Sequence, residues 1–131
     1  MSQENIEVVR KAIETFDSDV DAWLTTLDPE IDWYVSEDRH SVSHGHEAVL
    51  GARQRWLETW VRDSYRYEIE ELRGQGDDVM AVVCVTARGR ASGIEIEDRT
   101  YAHWRVRDGK IVYVYEHETR DEALEAARLR E

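Results

Sequence analysis

Between residues 94 and 117, two alternating β-rich segments flank Arg107-Asp108-Gly109-Lys110, and an acid, Glu116, stands near the far end. Asp-Gly between such runs is the strongest short-range hairpin signal, because both residues tolerate the backbone of a tight turn. The pairing constrains everything around it, since a slip of one residue moves every side chain to the other face. A two-residue turn on Asp108 and Gly109 sets Trp104 opposite Tyr113 and Tyr101 opposite Glu116. A three-residue loop with a bulge instead sets Val106 opposite Val112, Trp104 opposite Val114 and Ala102 opposite Glu116. The second arrangement puts Val106, Trp104, Ala102, Val112 and Val114 on one face. Tyr101, His103, Arg105, Tyr113 and Tyr115 fall on the other. That separation is the cleaner, so the bulged loop is expected. Glu116 then becomes the odd acid on an apolar face, where an unpaired carboxylate is costly enough to want a reason.

The 131 residues suit one domain, 1–131, with one hydrophobic core. Hydrophobic residues at 41% and charged ones at 35% read as a soluble globular chain. Net charge is −12, from 29 acids against 17 Lys and Arg, and such a surface repels phosphate backbones and anionic membranes. No apolar stretch approaches the roughly 20 residues of a membrane helix. The start, MSQENIEVVRK, lacks the basic-then-apolar pattern of a signal peptide. Cys84 is the only cysteine, which excludes an intrachain disulfide and fits a cytoplasmic location.

Ile6, Val9, Ile13 and Phe16 keep helical spacing, and Val20, Trp23, Leu24 and Leu27 form a second, shorter stripe that Asp28-Pro29 ends. Ile31, Trp33 and Val35 alternate as a strand. A third helix is expected from about 47 to 60, with Val49, Ala52, Trp56, Leu57 and Trp60 on its apolar stripe. Four strands follow, of which 79 to 87 is apolar on both faces, as in a covered central strand. Residues 121 to 129 read as a terminal helix. Helices on one face of an antiparallel sheet make an α+β layer architecture.

Several of these segments resemble a known family. They are Trp33 on the first strand, His44-Gly45-His46-Glu47 opening the third helix, and Gly76-Asp77-Asp78-Val79 before the central strand. Arg107-Asp108-Gly109-Lys110-Ile111 and Glu122-Ala123-Leu124 add to them. Together they resemble the SnoaL-like branch of the nuclear transport factor two-like superfamily. The resemblance implies a cone: a strongly curved sheet around a cavity closed by helices. It also implies dimers. Members include polyketide cyclases, ketosteroid isomerases, limonene epoxide hydrolases and scytalone dehydratases, so fold alone does not settle function. SnoaL-type cyclases and epoxide hydrolases carry an aspartate on the last strand, where this chain has Glu116. Ketosteroid isomerases carry an acid where this chain has Ala102, a tyrosine at about Phe16, and a base near Val35, with Glu37 and Asp38 close by. Those roles stand empty, so that mechanism is not expected. Nor do residues 82 to 88 supply the arginine and aspartate of the epoxide hydrolases.

Glu116 is thus the catalytic candidate: on an apolar face its pKa would tend upward, which suits a general acid or base near neutral pH. A solvated or arginine-paired carboxylate at the cavity mouth is the plainer alternative. Asp98 shares that face by alternation but stands near a glycine-bearing connection. Trp33, Trp56, Trp60 and Trp104, with Val114 beneath them, are candidates to line a cavity for a flat apolar ligand, against ordinary core packing. His44 and His46, with His40 nearby, lack a third metal ligand, so no metal is expected. His44 is instead a candidate polar wall residue. His103 and His117 fall on the outer face, and Cys84 reads as a small buried residue. Ser92 has no triad around it. The terminal helix, with Glu125, Arg128 and Arg130, presents a solvated face. No cofactor motif is present. The expected partners are a small apolar or aromatic ligand and a second copy of the chain. The second copy would dock through Tyr101, His103, Tyr113 and Tyr115, rimmed by Arg99 and Arg105.

Overall fold

The computed structural model describes residues 2–34 and 42–129. Val35, Glu37, Asp38, His40 and Arg130 lie outside the described residues. Helix α1 (Ser2–Thr15) and helix α2 (Val20–Thr25) lead into strand β1 (Leu27–Tyr34). The edge strand β2 (Ser43–His44) leads into helix α3 (Gly45–Glu58). After a single 3-10 turn (Arg62–Ser64) come β3 (Arg66–Gln75), β4 (Asp78–Arg88), β5 (Glu95–Arg107) and β6 (Lys110–His117). Helix α4 (Arg120–Ala126) closes the described chain. The strands form one curved, open sheet in the order β2-β1-β6-β5-β4-β3, antiparallel except where β1 runs parallel to β6. The α+β expectation holds.

Local chemistry explains most boundaries. Asp19 accepts from the Ala22 amide to start α2. Helix α4 starts on a capping box, in which the Thr119 hydroxyl accepts from the Glu122 amide and the Glu122 carboxylate accepts from the Thr119 amide. Helix α2 ends two residues before the expected stop. Pro29 then lies inside β1, beyond the register pair of Leu27 with Ile111 and in the shifted stretch before Asp32. Proline is tolerated there because ladder pairing is interrupted. Helix α3 ends at Glu58, so Trp60 stands past its end, bridged to Gly89 rather than on the helical stripe.

Strand β4 buries both faces, as its composition requires, but the covers differ. Val79, Ala81, Val83 and Val85 join a cluster with Val9, Ala12 and Ile13 of α1 and with Trp23 and Val49, which defines the concave side. Met80 and Val82 pack against Ala123, Leu124 and Ala127 on the convex side. The helices are therefore not all on one face; α4 covers the back of the sheet. Gly74 permits the closest approach of α1, since a Cβ there would stand 2.8 Å from the Ile6 side chain.

The β5–β6 hairpin corrects the expected loop while keeping its consequence. Asp108 (φ 51°) and Gly109 (φ 77°) both adopt left-handed backbone, and Arg107 pairs with Lys110, so the turn has two residues. The extra residue enters two positions later. Val106 pairs with Ile111 and Arg105 with Tyr113, which leaves Val112 as the bulge. Val112 does not face Val106 on the buried side; Ile111 takes that place, fully buried with Val106 and Val114. Beyond the bulge Trp104 faces Val114 and Ala102 faces Glu116, as the bulged arrangement requires. A ladder from the same turn without the bulge would set Glu116 opposite Tyr101, on the other face.

Candidate functional site

Alternation along the paired strands builds the concave surface. One row runs Trp33, Val114, Trp104, Val79 and Gly74 across β1, β6, β5, β4 and β3. The next row towards the far end of β6 is Glu116, Ala102, Ala81 and Leu72. Two alanines therefore adjoin the carboxylate across the sheet, and no bulky side chain stands beside it on β5 or β4. Glu116 is half-buried.

The tryptophans meet in a belt that includes residues the sequence reading left out. Trp104 lies edge-on to Trp33 at 5.9 Å between ring centroids, and Trp33 to Trp23 at 5.6 Å. Trp23 lies edge-on to Phe16 at 5.4 Å, and Phe16 is tilted against Tyr65 at 6.5 Å. Trp56 hydrogen-bonds the Tyr65 phenol and lies edge-on to Trp60 at 5.3 Å. Edge-to-face pairs set the positive rim of one ring on the negative face of the next, adding about 0.5–1.5 kcal/mol each beyond burial. The four sequence candidates thus fall into two pairs, Trp33 with Trp104 and Trp56 with Trp60. Trp23, Phe16 and Tyr65 join them. Arg53 of α3 clamps the middle of the belt: its Nε donates to the Phe16 carbonyl at 2.5 Å, and its guanidinium lies over the Phe16 and Trp23 rings. Burial lowers the Arg53 pKa.

The polar groups of the belt are mainly donors. The indole Nε1 atoms of Trp23, Trp60 and Trp104 are buried without a hydrogen-bond partner. Burial pushes the Tyr65 phenol up to about 12; the charges of Asp17 and Glu116 push the same way, and the Trp56 hydrogen bond pulls back. Tyr65 is therefore a neutral O–H at physiological pH, and it stands within the electrostatic reach of Glu116. Its only sequence signal was parity with Tyr67 and Ile69. The bond from Trp56 and the contact with Phe16 are tertiary.

The remaining candidates lie elsewhere. His44 is not a wall of the belt: it pairs in register with Asp32, whose neighbour on β6 is Tyr113, in a convex row. Its Nδ1 lies 2.7 Å from Asp32 and its Nε2 2.9 Å from Glu30, and these two hydrogen bonds raise its pKa. It borders an open surface depression of about 510 Å³ with Glu47, Ala48, Gly51 and Arg55. His46 donates from Nε2 to the Leu27 carbonyl at the helix entry. His103 is not at the surface. It is 4% exposed, with Nε2 2.7 Å from Asp78 Oδ1, which also accepts from Arg105. Cys84 is half-exposed rather than buried, because the α4 cluster includes Met80 and Val82 and stops short of it. Asp98 is exposed, as are Glu125 on α4 and Arg128 just past its end. Ser92 spends its hydroxyl on the Ile94 amide in a turn. Among the described residues no group of three His, Cys, Asp or Glu side chains is arranged to hold a metal ion.

Residues 9–114 match the model of the SnoaL-like domain, and the chain belongs to that family. No curated protein sequence matches it. Among solved structures, a candidate SnoaL-like polyketide cyclase from Jannaschia sp. CCS1 superposes with a TM-score of 0.80 at 17% identity, covering 97% of this chain and 92% of that one. An NTF2-like protein of unknown function from Burkholderia pseudomallei K96243 gives 0.76 at 22% identity, covering 97% and 98%. TerC, co-crystallised with polyporic acid, gives 0.75 at 19% identity, covering 95% and 97%. At these identities the likeness establishes the fold.

Proposed function

We propose that this SnoaL-like domain binds a small, flat, largely apolar molecule against the aromatic belt on its concave face, and that Glu116 moves a proton on the bound molecule. One observation carries the reading: the Val112 bulge turns Glu116 to the side of the sheet that bears the belt, in a row whose neighbours are alanines. A carboxylate at such a place is suited to take a proton from an acidic C–H, or to give one to a leaving hydroxyl or an opening epoxide. Cyclisation, isomerisation, dehydration and epoxide opening share that requirement. The co-crystal of TerC with polyporic acid supports the choice of ligand class.

A carrier or scaffold role is the second reading, and the packing of the deep end of the belt favours it. Trp23 and Trp104 are 1% and 7% exposed, interlocked edge-to-face through Trp33. Native mass spectrometry of the purified protein, looking for co-purifying small molecules, tests binding. Comparing Glu116→Gln with wild type then separates catalysis from carriage.

The wider reading is a cytoplasmic homodimer. The dimer surface proposed from sequence needs revision, because Tyr101 packs with the α4 cluster and His103 is buried on Asp78. Tyr34, Tyr113 and Tyr115 remain as a tilted aromatic group on the convex face, rings 5.6–5.7 Å apart. Sedimentation equilibrium showing only monomer at micromolar concentration would exclude that dimer.

A further inference from the structure

Helix α3 turns one side inward, where Val49 is buried and Leu50 packs against the same core. Its outer side carries Glu47, Ala48, Gly51, Gln54, Arg55 and Glu58, whose three- and four-residue spacings put them on one face. Glu47, Ala48, Gly51 and Arg55 border the open depression of about 510 Å³. Gly51 stands at the middle of this face with no backbone reason to be glycine. Its φ is not in the left-handed region, and a mid-helix glycine weakens a helix relative to alanine. What it provides is room: a Cβ there would stand 3.3 Å from Nη1 of Arg55, so the guanidinium can lie over the centre of the face. Glu47 and Arg55 flank Gly51 symmetrically, four residues to either side, with opposite charge. Among the described residues neither engages in an ion pair.

We propose that this face of α3 docks against the same face of a second copy of the chain, the two helices crossing antiparallel at Gly51. A two-fold axis through Gly51 sets Glu47 of each copy opposite Arg55 of the other, two ion pairs from one self-complementary patch. The same register sets Glu58 opposite His44 and Gln54 opposite Ala48, so no like charges face each other. A parallel crossing at Gly51 would instead set Glu47 against Glu47 and Arg55 against Arg55. Glycine against glycine lets the two backbones approach closely at the crossing point. The contact lies on neither the concave belt nor the convex tyrosine group, and it does not depend on a bound ligand. One helix against another buries less than the roughly 800 Å² per partner of a standard stable interface, so the association is a weak one.

Charge reversal with rescue tests the proposal. Sedimentation velocity is run over a concentration series up to about 1 mM, the range in which such weak contacts are populated. The proteins are wild type, Glu47→Arg, Arg55→Glu and the double variant, with circular dichroism as the check on folding. Each single variant turns two attractions into two repulsions and should weaken self-association by about tenfold or more. The double variant restores both pairs with exchanged signs and should recover the wild-type value. The two single variants move the net charge in opposite directions, so a general charge effect would strengthen association in one and weaken it in the other. That pattern would overturn the proposal. Wild type that stays monomeric throughout the series would overturn it too. Self-association that neither single variant changes would also refute it, and would leave the tyrosine-face dimer standing. Loss in both single variants without recovery in the double variant would refute the antiparallel register.

Discussion

The bulge at Val112 makes a prediction that separates two neighbouring valine-like positions by energy. In the expected loop Val112 was the buried partner of Val106; in the structure Ile111 is, at 0% exposure, and Val112 is a half-buried, unpaired residue. Truncating a fully buried isoleucine to alanine removes its transfer energy and leaves a cavity, about 3 kcal/mol within a usual range of 2–5. Val112→Ala removes fewer atoms from a site already in partial contact with water, so it should cost about 1 kcal/mol or less. For 131 residues the unfolding entropy is about 0.28 kcal/mol/K, so the two variants should lower Tm by about 10 °C and at most about 4 °C. Thermal unfolding followed by circular dichroism, with urea titration to check that m is unchanged, measures both. A Val112→Ala loss equal to or larger than that of Ile111→Ala would refute the bulge. It would also remove the reason for placing Glu116 on the concave face.

Glu116→Gln keeps size and polarity but cannot titrate; it should abolish turnover of any substrate found, with Tm and ligand affinity close to wild type. Retained turnover would sink the acid–base role. His44 sits between two carboxylates that raise its pKa above 6.5. A raised histidine stabilises fully below its unfolded value, and that contribution fades as pH rises through the folded one. NMR titration should therefore give His44 a midpoint above 6.5 that drops in Asp32→Asn. Glu71 behaves oppositely: the Arg120 guanidinium, bonded to it twice at 2.7 Å, holds its pKa below 4.5. Its contribution is present above 4.5 and lost as pH falls through the lowered value. Arg120→Gln should thus cost about 1 kcal/mol at pH 7, as for a partly exposed pair, and less at pH 3. A loss that grew on acidification would contradict the assignment.

Much of the architecture was legible locally. Helical spacing in α1 and α3, the two-faced apolar run of β4, and Asp108-Gly109 each report a short-range preference that the tertiary structure did not override. The α+β class followed from the order of such segments, and the family resemblance from short motifs at Trp33, 44–47, 76–79, 107–111 and 122–124. The alternation of residues 99–106 with 110–116 even required an extra residue somewhere in the hairpin, because only a bulge puts Trp104 and Glu116 on the inner face.

Sequence could not say where that residue went. A strand pattern records which side chains want burial, and both Ile111 and Val112 qualify; the choice depends on turn backbone and on the packing of Ile111 with Val106. The convex cover was undecidable for a like reason: the apolar side of α4 fits either face of the sheet until Met80 and Val82 are seen against Ala123, Leu124 and Ala127. His103 looked exposed because its row alternates with the inner one, yet Asp78 reaches it from 25 residues away. Tyr65 was missed because parity with Tyr67 and Ile69 assigns it a face of the strand and says nothing of its contact with Phe16. Residues one strand apart are visible to a reader of sequence, since the ladder transmits parity between them. Groups that meet only when the sheet and its helices close, such as Tyr65 with Trp56 or Phe16 with Trp23, are decided by the fold alone.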